Sequence, residues 1–208
     1  MTTNTHIAAK GLRQLALLWA IWGFLHLKAQ IAASPYVTSY AAQHESAEFA
    51  LFKAKQFLIE NLFTVDGNAI EFVVDPLHAS TTGELTTLVY ECKEQKLSGL
   101  LLAFYGTYWN EAGVTFTGYG FKNLKAEQAA ALLKKISEEA TKHEAFLRAD
   151  GDNNNISFTF DDIKIVLWYG PAQSTYRLRL FWNEFDSSWY QAACDKTTKR
   201  LAKAIDIK

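Results

Sequence analysis

The stretch TYRLRLFW, residues 175–182, decides how this chain is read, because apolar and cationic residues alternate along it with a period of two. Such alternation places Tyr176, Leu178, Leu180 and Trp182 on one side of a strand and Arg177, Arg179 and Phe181 on the other. The preceding run IKIVLWY, residues 163–169, has the same phase and turns Lys164, Val166 and Trp168 outward. One side of this sheet is therefore expected in a core. Its reverse is expected to be polar, with aromatic rings set into it.

Further strands are expected upstream at 156–160, 114–121, 99–105, 85–92 and 70–74, separated by turn clusters such as Asn110-Glu111-Ala112-Gly113. Helical spacing marks three other segments. From His44, residues Ala47, Ala50, Leu51, Ala54, Phe57, Leu58 and Leu62 form an apolar stripe. A second helix carries Leu124, Ala129, Leu132, Leu133, Ile136 and Ala140, with Asn123 expected as its cap. The last is expected from about Ser187 to Ile205, capped by Ser187 or Asp186. Runs of strands followed by helices, without strict alternation, indicate an α+β fold: an antiparallel sheet with helices packed on one face.

The two halves resemble one another: Tyr105-Gly106 falls on Tyr169-Gly170, Phe116 on Leu180 and Phe121 on Phe185. An internal duplication of a strand-strand-helix unit would leave this trace, and so would a shared hydrophobic phase.

The N-terminal run LALLWAIWGFLHL, residues 15–27, is uncharged and follows Lys10 and Arg13. It is shorter than a membrane span and apolar all round, which is the pattern of an export signal. Residues 1–29 are accordingly expected to be a signal peptide, 30–42 a leader segment and 43–208 a single domain. No membrane insertion is expected after cleavage, and the compartment expected is the periplasm or the medium. Losing Lys10, Arg13 and Lys28 would take the formal charge from −1 to −4. A mildly acidic chain lacks the basic patch that nucleic-acid binding depends on, so no nucleic-acid partner is expected.

Catalytic and metal motifs are sparse. Cys92 and Cys194 have no zinc-type spacing and are expected to be two buried thiols, not a disulfide. Gly118-Tyr119-Gly120 lacks the third glycine of a dinucleotide loop, and glycine there marks a bulge or a close backbone approach. Asp150, Asp152 and Asn154 alternate as calcium ligands do, with Asp161 at the twelfth place, yet the sixth place lacks glycine. A solvated turn explains the same letters. No cofactor is expected.

Function is then expected to reside in the outward set. Trp168, Arg177, Arg179 and Phe181 form its centre, with Lys164 beside them and Tyr119 joining if strand 114–121 is a neighbour. Aromatic rings among cations suit recognition of a protein, peptide or glycan partner, particularly an acidic one. Two alternatives stand beside this reading. One is a hydrolase assembled from Asp161, Asp162, Glu184 and Asp186; the other is a secretion-chaperone-like protein, suggested by element order alone.

Overall fold

A computed structural model describes residues 47–78, 84–109, 112–150, 153–170 and 174–206. The residues expected to form the export signal and leader lie outside this set. Among the described residues, no helix is long and apolar enough to cross a membrane.

The chain is α+β, with two four-stranded antiparallel sheets instead of the single expected sheet. Helix α1 (Ala47–Asn61) leads into β1 (Val73–His78), β2 (Thr86–Cys92), β3 (Leu97–Trp109) and β4 (Thr115–Lys125). Helices α2 (Ala126–Lys142) and α3 (Glu144–Ala149) follow. The second sheet contains β5 (Asn155–Phe160), β6 (Ile163–Tyr169), β7 (Tyr176–Trp182) and β8 (Phe185–Tyr190), and α4 (Gln191–Asp206) ends the fold. Both sheets are meanders in strand order, β1-β2-β3-β4 and β5-β6-β7-β8.

Strand β8 is absent from the sequence reading, which placed a helix from Ser187. Asn183 takes the left-handed conformation, φ 51°, in a two-residue turn that brings Trp182 opposite Phe185. A short polar side chain tolerates that conformation, so the chain reverses and pairs before the helix begins. Asp161, φ 55°, plays the same part between β5 and β6. Asn123 likewise does not cap α2. It remains in β4, where its side chain accepts a 2.7 Å hydrogen bond from the Tyr90 hydroxyl. The N-cap position belongs to Lys125, whose N–H donates to Gln128 Oε1 at 3.2 Å.

Four strands and a helix, repeated, hint at duplication. The residue correspondence holds only at the last strand-helix junction, where Phe121 is in β4 and Phe185 in β8. Tyr105 lies in the third strand of its sheet but Tyr169 in the second of its own, so the remaining matches reflect hydrophobic phase.

The main core gathers the inner faces of both sheets with α2 and α4. Leu100, Leu102 and Phe104 meet Leu132, Ile136, Ile165, Leu178, Leu180 and Trp189 within it. A second cluster lies on the other side of the first sheet, where Ala54 and Leu58 of α1 cover Leu88, Tyr90, Cys92 and Leu101. The first sheet is thus covered on both faces, contrary to the expectation of helices on one side. The inner face of the second sheet lies in the main core, and among the described residues neither cluster includes its outer-face side chains. Cys92 and Cys194 are free and buried, in these two separate clusters. Burial raises the Cys194 thiol pKa well above its ordinary value, with Asp195 adding to the effect.

The sheets join where Leu85 N–H donates to Ser188 O at 2.8 Å. Nearby, the Phe185 ring lies over Gly120, where an added Cβ would sit 2.7 Å from two ring carbons. The glycine therefore marks a close approach. Gly120→Ala is expected to force the ring aside at a cost of about 1–3 kcal/mol, measured by chemical denaturation.

A polar pin closes the same junction. Lys122 Nζ lies 2.6 Å from Asp162 Oδ1 and 3.6 Å from Asp161 Oδ2. The Trp182 indole donates to Asp162 Oδ2 at 2.9 Å. The Lys122 hydrogen bond is the main cause holding the Asp162 carboxyl below its usual pKa, with Trp182 assisting. A depressed carboxylate stabilises the fold above its unfolded pKa, and that contribution disappears as pH falls through the lower folded value. Asp162→Asn is therefore expected to lower the thermal midpoint modestly at neutral pH. The gap between variant and parent should close below about pH 4 in a pH series of melts.

Candidate binding face

The outer face of the second sheet is a grid built by period-two alternation and antiparallel register. One row runs Asn155, Trp168, Arg177, Tyr190 across the four strands. The next runs Ser157, Val166, Arg179, Ser188, and the third runs Thr159, Lys164, Phe181, Asp186. Burial alternates along β6 and β7 as the strand pattern requires, with the opposite side chains in the core.

Five of the six sequence-predicted residues share this surface. Trp168 and Arg177 are direct cross-strand partners, as are Lys164 and Phe181, while Arg179 lies opposite Val166. Phe181 is 39% exposed, which is high for a phenylalanine ring and is not explained by core packing. Tyr119 is the exception. It belongs to β4 of the first sheet and packs on the side covered by α1, 4.8 Å from the Tyr105 ring and 6.2 Å from Phe49 by centroids. Thr115 and Thr117 are also in β4, so that strand does not extend the outward set.

Arg179 is ion-paired with Asp186, a partner that the sequence pattern hides because it places a helix where β8 lies. Arg177 lies 5.6 Å from the centroid of the Tyr190 ring, stacked over its cross-strand neighbour. That geometry holds the guanidinium against the sheet. The grid holds Lys164, Arg177 and Arg179 against the single carboxylate of Asp186. The result is a net cationic surface with Trp168 and Tyr190 in the row at one end.

The four carboxylates of the hydrolase alternative lie at or beside the two hairpin turns. Asp161 and Asp162 face Lys122, and Asp186 pairs with Arg179. A general acid needs a raised carboxyl pKa, whereas Asp162 is shifted downward. For calcium, Asp150 and Asp161 are separated by the whole of β5, roughly 20 Å for six residues, too far to share one ion. Asn153 and Asn154 N–H groups donate to Asp150 O at 2.9 and 3.3 Å, which is the solvated-turn arrangement; Asp152 lies outside the described residues. Among the described residues, no group of three or more His, Cys, Asp or Glu side chains is placed to hold a metal.

Sequence reasoning missed a groove of about 590 Å³ between α2 and α4, lined by Leu133, Tyr176, Cys194 and Leu201 with Lys134 and Glu138 among its polar residues. Two amphipathic stripes disclose that helices pack, not that they part locally. Comparison with protein-family models, curated proteins and solved structures yields no match to this chain.

Proposed function

We propose that this chain is an exported, cofactor-free binding module that recognises a protein, peptide or glycan through the outer face of β5–β8. The observation that supports it is the grid itself, uncovered among the described residues, in which Trp168, Arg177 and Tyr190 form one cross-strand row. The broad face of a sheet suits an extended chain or another protein surface better than a small molecule, which needs a concave site. The excess of cations favours an acidic partner, and the aromatic row offers ring faces for contact.

The test is a pull-down from native-host extract, with the parent and a Trp168→Ala/Arg177→Ala/Arg179→Ala variant compared side by side. Loss of specific captures from the variant supports the reading; an unchanged set rejects it. Export is tested separately by N-terminal sequencing of the protein recovered from cytosol, envelope and medium. A new terminus near Ala29 in the envelope or medium is expected, and an intact terminus in the cytosol would contradict it.

A further inference from the structure

Strand β5 ends the second sheet, and among the described residues it has none of the devices by which the other edge strands are protected from pairing. In β1, Pro76 interrupts the strand at a register irregularity, and Asp75 is ion-paired with Arg200. Strand β4 carries Lys122 and Lys125, and β8 is joined to Leu85 through Ser188 O. By contrast, β5 reads NISFTF, with no charge, no proline and an unbroken register against β6. Ser157 and Thr159 are exposed, and Ile156, Phe158 and Phe160 are only partly buried against the core.

We propose that β5 pairs antiparallel with β5 of a second copy of this chain, about a two-fold axis at Phe158. In that register Phe158 faces its own counterpart, Ile156 faces Phe160 and Ser157 faces Thr159. All three apolar residues gain an apolar neighbour on one face, and the hydroxyls meet on the other. Neutrality is the deciding property, because a two-fold axis sets each group near the axis against its own kind or a near neighbour. A six-residue ladder is short, so the dimer is weak and concentration-dependent. It goes beyond the partner-binding reading: the outer faces of two copies become one eight-stranded surface carrying two Trp168–Arg177 rows.

The test is sedimentation velocity of the full chain over a concentration series. The parent is expected to approach twice its monomer mass. Ser157→Glu/Thr159→Glu and Ser157→Lys/Thr159→Lys each place like charges opposite one another across the axis on exposed positions, and each variant is expected to stay monomeric. Mixed together, the two variants are expected to recover the doubled mass, which a folding defect would not allow. The triple alanine variant on the outer face keeps the doubled mass, which separates this proposal from partner recognition. A parent that is monomeric throughout, or a doubled mass that survives in both charged variants, overturns the proposal. So does a monomer whose β5 amides gain exchange protection only when a different protein is added.

Discussion

Trp189→Ala is expected to remove about 3–5 kcal/mol of stability, a large fraction of the roughly 5–15 kcal/mol that a folded domain retains. The indole is 1% exposed and among the largest fully buried side chains described. It projects from β8 into the main core, with Leu178 of β7 opposite it in register. Truncation leaves a cavity at the junction of sheet and helices, where the surroundings can collapse only in part. Thermal melts should show a drop on the order of 10 °C, given about 2–4 °C per kcal/mol for a chain of this size. Trp189→Phe should behave differently. The Trp189 Nε1 hydrogen has no acceptor among the described residues, so replacement removes an unsatisfied donor while keeping most of the ring. Its expected cost is under about 1.5 kcal/mol. A Phe variant as damaged as the Ala variant would show that the indole N–H matters after all.

The second large effect concerns binding and should leave stability nearly untouched. Trp168→Ala and Arg177→Ala are each expected to weaken partner affinity by at least ~2 kcal/mol, roughly 30-fold, in calorimetric titration against the captured partner. Both lie on the outer face, in one cross-strand pair and outside the core clusters, so truncating either removes contact area without opening the core. Arg179→Ala should matter less, within about 1 kcal/mol, because its guanidinium already has Asp186 as counter-ion. Equal losses at Arg177 and Arg179 would indicate that the ion pair opens on binding. A marked fall in melting temperature for Trp168→Ala would instead assign that ring a packing role.

The two-sided character of β6 and β7 is legible because their alternation is strict, and it places five of the six candidate residues on one face. What alternation does not encode is sheet membership. Tyr119 has the phase of an outward residue, yet only strand pairing reveals that its sheet is the one covered by α1. A usable signal for that cover did exist. Leu100, Leu101, Leu102, Ala103 and Phe104 form an unbroken apolar run, the pattern of a strand buried on both faces, and all five are buried. Strand β8 was hidden for a chemical reason. Asp186, Ser187 and Ser188 are residues favoured at helix N-caps, and they precede a helical stripe, so the true helix start at Gln191 was read several residues early. The Arg179–Asp186 pair was lost with it, which made the face look more cationic than its geometry leaves it.

Site-specific photo-crosslinking in the native host tests the recognition face most directly. Phe181→p-benzoylphenylalanine places the probe at the exposed ring of the grid, and Val73→p-benzoylphenylalanine places it at a still more exposed position on β1. Irradiation is predicted to give a discrete adduct from the first position and none from the second. Adducts of equal yield from both positions, or an adduct from Val73 alone, would contradict the assignment of partner recognition to the outer face of β5–β8.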